Sequence, residues 1–260
     1  MAHNKLMKLT FNRFLGAVAL ISGICGPVRA AEPDAAELLR GMSAKLASAP
    51  GFQFQAVREI DAPLLEGRDV AEKAKVSVAV SRPGKLAATS ASKTGSRRIV
   101  ADGATLSLLD VESNYHAVLP MRTDIDGLVA KLDRTYGFTP PLAEFVVSDP
   151  GAKMRGNAQR VTYLGRAKDG GFLGLGGVAC HRIGLSGSVA DAELWIGVAD
   201  QLPRRLVATF KRDGQPQVRI RFKGWQMGVP AASQFAFVPP SGSEKIEMWS
   251  TAEMDATAKR

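Results

Sequence analysis

Beyond its first thirty residues the chain carries two histidines, His116 and His181, and one cysteine, Cys180. A thiol beside an imidazole is the beginning of a nucleophilic site, because the ring can take the thiol proton. Cys180 and His181, however, are consecutive in a run of strand formers, so their side chains point to opposite faces and cannot readily meet. A small buried residue beside a hydrogen-bonded histidine is the plainer reading. Asp124, Asp126 and Gly127 resemble a fragment of a calcium loop, but the remaining ligand positions are missing, and helix capping explains them. The glycine-rich run 170–177 has the look of a phosphate loop, yet no Lys-Ser/Thr follows and a strand, not a helix, comes next. It reads as a hairpin tip, whose Phe172, Leu173 and Leu175 would touch a membrane or partner if exposed. No G-x-S-x-G elbow precedes a helix. The expectation is therefore a protein that is not an enzyme and holds neither metal nor cofactor.

The elements that position these residues follow from periodicity. Val218, Ile220 and Phe222 alternate with Arg219, Arg221 and Lys223, which makes one face apolar and the other cationic. With the run 204–211 and the turn residues Asp213, Gly214 and Pro216, this predicts an antiparallel hairpin. Two more runs, 178–185 and 192–198, extend it to a four-stranded meander. The prolines Pro239 and Pro240 cannot donate to a ladder and must end the sheet or sit at its edge. The basic face of Arg204, Arg205, Lys211, Arg212, Arg219, Arg221 and Lys223 reads first as solvated, and second as an attraction for anionic headgroups or an acidic partner.

Upstream, Asp34 and Glu37 predict a capped helix over 34–47 with Leu38, Leu39, Met42 and Leu46 on one face, stopped by Pro50-Gly51. Strand-like runs follow at 52–60, 74–80, 86–92, 106–111 and 115–119. The period then changes: Ile125, Leu128, Val129, Leu132 and Tyr136 recur at helical spacing and predict a helix over 123–136, capped by Thr123 or Asp124 and closed by Gly137. Pro140-Pro141 is expected to open a short helix holding Leu142, Phe145 and Val146, which Pro150-Gly151 ends. A second set of strands begins at 160–168. The fold class is thus α+β, a large curved antiparallel sheet of roughly nine to eleven strands with helices over its concave face. If the helices fill the concavity the core is solid, and if they cover it loosely an oily cavity remains.

The first thirty residues combine Lys5, Lys8 and Arg13, an apolar run from Phe14 to Cys25, and Val28-Arg29-Ala30, the pattern of a cleaved export signal. Ile24 stands where a lipoprotein signal wants a small residue, so an ordinary signal is favoured over lipid attachment at Cys25. Cleavage after Ala30 leaves 30 Lys and Arg against 25 Asp and Glu, so the charge falls from +9 to +5, too mild by itself for nucleic-acid binding. Cys180 then remains alone, and no internal disulfide is expected. No linker divides the rest, which predicts one soluble domain over 31–248 and a tail over 249–260.

Several motifs in this order resemble a known superfamily. They are Arg82-Pro83-Gly84-Lys85, the hairpin Ile99-Val100-Ala101-Asp102-Gly103-Ala104-Thr105-Leu106, and the closing run Phe235-Ala236-Phe237-Val238-Pro239-Pro240-Ser241-Gly242. Together they are similar to the periplasmic carriers that ferry lipoproteins to the bacterial outer membrane, the LolA/LolB superfamily. The stretch 135–150, TYGFTPPLAEFVVSDP, resembles more closely a group of predicted periplasmic proteins of unknown function that share that fold. The resemblance covers about residues 34–248. It implies a half-open barrel with helical lids, and a periplasmic monomer that holds an amphiphile, a lipid or a lipoprotein's acyl chains. The candidate lining is Leu38, Met42, Ile125, Leu128, Val129, Leu132, Tyr136, Phe145, Trp195, Phe210 and Phe222. The alternative is a periplasmic sensor or interaction module acting on an envelope membrane protein. The strand 86–92, LAATSAS, is smaller and more polar than the carrier pattern, which leaves the cavity's shape open.

Overall fold

The computed structural model of the chain describes residues 32–171 and 176–258. The expected export signal with Cys25 and the tip residues Phe172, Leu173 and Leu175 lie outside that range. The chain opens with helix α1 (Ala35–Ala47), where Asp34 accepts the Ala36 amide at 2.8 Å as N-cap. Six strands follow: β1 (Gly51–Ile60), β2 (Glu72–Ser81), β3 (Lys85–Ser92), β4 (Gly95–Asp102), β5 (Thr105–Asp110) and β6 (Tyr115–Pro120). After helices α2 (Ile125–Tyr136) and α3 (Pro150–Gly156) come β7 (Arg160–Asp169), β8 (Val178–Ser186), β9 (Ala190–Gly197), β10 (Pro203–Phe210) and β11 (Gln217–Met227). A two-residue β12 (Glu244–Lys245) and helix α4 (Thr251–Ala258) end it.

The strands form one sheet in the order β12-β6-β5-β4-β3-β2-β1-β11-β10-β9-β8-β7. All neighbours are antiparallel except β12 beside β6. Two meanders, β1 to β6 and β7 to β11, are joined through β1 and β11. This places β6 and β7 near opposite edges, so the connection 121–159, with α2 and α3, must cross the whole concave face. Topology, more than propensity, puts the helices there. The two edges do not pair with each other, and the sheet stays open. The described residues from Pro33 onward form one compact unit.

The expected segments need three corrections. The sheet has twelve strands, because the hairpin around Asp102-Gly103 has a full strand, β4, as its first arm and β12 adds a short edge. Residues 140–148 contain only one 3₁₀ turn, Ala143–Phe145, in place of the expected helix. Pro150 starts a helix where a helix was expected to stop: Asp149 accepts the Ala152 amide at 2.8 Å, and proline suits the first turn because its missing N–H would be unpaired there anyway. The expected cap Gly137 closes α2 with φ 69°, a left-handed conformation that costs glycine little.

The core is one buried cluster. The stripes of α1 (Leu39, Met42, Leu46) and α2 (Ile125, Leu128, Val129, Leu132) lie in it together with Phe52, Phe54, Val78, Val80, Leu86 and Phe222 of the sheet. At Gly224 (φ 63°) strand β11 bulges against Gln53 and Gln55 of β1. Trp225 then joins the inward aromatic group, 4.4 Å from Phe54 and 5.9 Å from Phe52 between ring centroids. Among the described residues no helix is long and apolar enough to cross a membrane.

Candidate functional site

Strand register shows where the concave face has room. One row across β1 to β6 reads Phe54, Val78, Ala88, Ile99, Leu108 and Ala117, all apolar. Two residues along each strand the next row reads Ala56, Val76, Ser90, Arg97, Asp110 and Tyr115, so the face turns polar and its side chains shorten at β3. A third row brings Arg58 against Ala74. The helices cover the apolar rows and stop short of the polar ones.

Where the cover ends a trough of about 570 Å³ remains. Its apolar lining comes from Ile99, Leu108, Ala117, Phe138, Ile246 and Met248. The charged walls are Arg58, Arg68 and Glu72 on one side and Arg97, Asp110 and Glu112 on the other, with Ser90 and Ser92 between them. Glu72 accepts Arg58 Nη2 at 3.0 Å and Arg68 Nη1 at 2.8 Å. Arg97 Nε donates to Asp110 at 3.2 Å. Hydrogen bonds from Ser113, then Arg97, hold the Asp110 carboxyl below its usual range, so it stays ionised. The last segment of the chain completes the wall: β12 pairs with β6, and the Ile246 amide donates to His116 O at 2.8 Å.

Over the apolar part, Arg82 ties the covers down. Its Nη2 donates to Val146 O at 3.1 Å and approaches Leu46 O and Val147 O at 3.4 and 3.5 Å, linking the sheet to the end of α1 and to the 143–145 turn. Burial pulls the Arg82 pKa down while the nearby Asp126 opposes the shift. Asp126 in turn accepts the Ser148 amide at 2.8 Å, and Asp124 accepts that of Gly127 at 2.8 Å, so the calcium-like fragment serves as cap and tether.

The candidate lining residues fall into three groups. Met42, Ile125, Leu128, Val129, Leu132, Phe145 and Phe222 are buried in the core, with Leu38 and Tyr136 packed against it. Phe145 and Phe222 meet edge to face at 4.7 Å, so side chains fill the space beneath the covers. Phe210 shares the concave face through Ala208 and Leu206 but lies half-exposed near the open end. Trp195 is on the opposite face, stacked between Arg205 (4.6 Å) and Arg182 (5.5 Å), with its indole N–H donated to Glu193 at 2.6 Å. It does not join the others, because strand parity sends it the other way from Leu194 and Ile196.

The reactive-looking residues take structural contacts. Cys180 is free and buried, and burial raises its thiol pKa. His181 Nδ1 hydrogen-bonds the Tyr163 hydroxyl at 3.0 Å, and burial lowers its pKa, with Arg166 adding to the effect. His116 Nδ1 meets Ser243 Oγ at 2.9 Å. Among the described residues no group of His, Cys, Asp or Glu is arranged to hold a metal ion.

The charged walls of the trough escape sequence reasoning. One signal is present: the small, polar strand 86–92, whose Ser90 and Ser92 open the trough while Ala87 and Thr89 open a polar recess of about 450 Å³ on the convex side. What joins them to Ile246 and Met248 is long-range pairing, which local spacing does not carry.

A family model described as predicted periplasmic protein, DUF2092, matches residues 35–249. No match was found among curated proteins. Among solved structures the chain is similar to an uncharacterized conserved protein from Thermus thermophilus, at 11% identity and a TM-score of 0.46, covering 82% of this chain and 99% of that one. It is also similar to a chain in the Pseudomonas aeruginosa MucA/MucB complex, at 16% identity and a TM-score of 0.46, over 79% of this chain and 62% of that one. A LolA superfamily protein from Nitrosomonas europaea shows 9% identity and a TM-score of 0.37, over 79% and 98%.

Proposed function

The chain belongs to the DUF2092 family of predicted periplasmic proteins, and from that premise we propose that it is a non-enzymatic binding protein that holds a single-chain amphiphile in the concave trough. The observation that carries the reading is the trough itself, about 570 Å³ of space with an oily floor and ionic walls, beside a core that side chains already fill. That volume lies within the roughly 300–1,000 Å³ typical of a site for one ligand. Each methylene laid on the floor contributes about 0.8 kcal/mol, so a few suffice for binding weak enough to reverse. The ligand is a lipid, or one acyl chain of a lipoprotein.

The test is native mass spectrometry of protein purified gently from its host, together with uptake of a fluorescent fatty-acid probe in vitro. A co-purified lipid and saturable uptake are expected. Ser90→Trp, which puts a strand-compatible ring into the trough, is expected to abolish uptake with the fold intact. A clean apo mass with no probe uptake, or uptake untouched by Ser90→Trp, rejects the reading.

One observation favours a second reading, an interaction module for an envelope partner. Strand β7 is ten residues long at an open edge, and among the described residues no strand covers its outer side. Its free backbone groups suit strand addition by an extended peptide.

A further inference from the structure

The trough's charges are arranged as a dipole. On one wall Glu72 is shared by two guanidiniums, Arg58 on Oε1 and Arg68 on Oε2, which leaves that wall one positive charge in excess. On the other wall Arg97 pairs with Asp110, while Glu112 accepts only the Ser96 amide and has no guanidinium partner among the described residues. That wall is one negative charge in excess. Two other charged residues nearby fall outside this count. Arg98 also lines the trough but turns its guanidinium to Ala236 O on the convex side, and Glu144, whose carboxyl pKa is raised by burial, is not among the lining residues. Arg58 stands on β1 and Glu72 on β2, Arg97 on β4 and Asp110 on β5, so the walls are two to four strand spacings or roughly 10–19 Å apart at the backbone, a gap that long side chains on both sides shorten.

Resting on the amphiphile reading, we propose that this trough selects a zwitterionic headgroup over a purely anionic or cationic one. The anionic end, a phosphate or carboxylate, sits by Arg58 and Arg68, the ammonium end by Asp110 and Glu112, and the chain over Ile99, Leu108 and Met248. An anion alone would also face Asp110 and Glu112, and a cation alone would face the two arginines, so like-charge repulsion opposes each. A headgroup bearing both charges meets a partner at each end.

The experiment is displacement of a bound uncharged fluorescent acyl-ester probe by three single-chain amphiphiles with C16 tails, below their micelle concentrations: palmitoyl lysophosphatidylethanolamine, palmitoyl lysophosphatidylglycerol and hexadecyltrimethylammonium. The zwitterion is expected to displace at a concentration about tenfold lower than either singly charged competitor, a difference of about 1.4 kcal/mol. Glu112→Lys is expected to move the preference to the anionic competitor and Arg68→Glu to the cationic one, both with wild-type circular dichroism. Equal displacement by all three, or charge swaps that leave the order unchanged, overturns the headgroup assignment while leaving amphiphile binding in place. Absence of probe uptake overturns both.

Discussion

Replacing Arg82 by methionine tests what holds the covers to the sheet. The side chain is half-buried, and among the described residues its Nε has no partner and its one strong hydrogen bond is the 3.1 Å donation to Val146 O, with two marginal ones to Leu46 O and Val147 O. Hydrogen bonds to charged groups are worth about 1.5–3 kcal/mol when good and far less at 3.5 Å, and the Phe52 ring 6.0 Å from the guanidinium adds about 0.5 kcal/mol at most. Against this stands relief of the desolvated charge, which methionine removes. Because the substitution leaves carbonyls of two separate elements without their partner, the loss should win, by about 2–3 kcal/mol. For a domain of this size that is a fall in Tm of roughly 4–12 °C. Arg82→Lys keeps the charge but not the fork and should lose about half as much. Urea unfolding gives the free energies, and amide exchange gives the location: the end of α1 and the turn at Ala143–Phe145 should lose protection before the central strands do. A methionine variant as stable as the parent, or one whose exchange rises uniformly, would refute the view that this guanidinium is a net tie.

Three further outcomes follow from the same structure. Phe222→Ala empties the centre of the contact between Phe145 and Phe54 and should cost about 3–5 kcal/mol by chemical denaturation. Trp195→Ala removes two cation–π contacts and a hydrogen bond on the opposite face, so about 1–2 kcal/mol should be lost with probe uptake unchanged. Glu144 is partly exposed as a residue, and burial of its carboxyl raises its pKa. A carboxyl that binds its proton more tightly when folded contributes stability that is fully present below the unfolded pKa and is lost as pH rises through the folded value. Glu144→Gln should therefore gain stability over the parent as pH rises from acid to neutral in a denaturation series, and a difference curve flat in pH would contradict this. Asp61, whose pKa is lowered chiefly by Arg219, acts in the opposite sense and is common to both proteins, so it cancels in that difference.

What the amino-acid order determined by itself is the set of local elements. Alternation at Val218, Ile220 and Phe222, the caps at Asp34, Asp124 and Gly137, and the helical spacing of Leu128, Val129 and Leu132 are short-range signals, and all appear as read. The stretch 140–156 misleads because proline serves equally to stop a helix and to begin one, and only the Asp149 cap distinguishes the two. Tertiary structure alone decided which faces close and which stay open. The pairing of β1 with β11, and the crossing of 121–159 from one edge toward the other, press Phe145 and the α2 stripe into a solid core and leave the polar rows around Ser90 uncovered. Periodicity tells a residue which side of its strand it occupies, but how far the cover reaches along that side depends on contacts between residues more than a hundred positions apart, such as Tyr115 and Glu244.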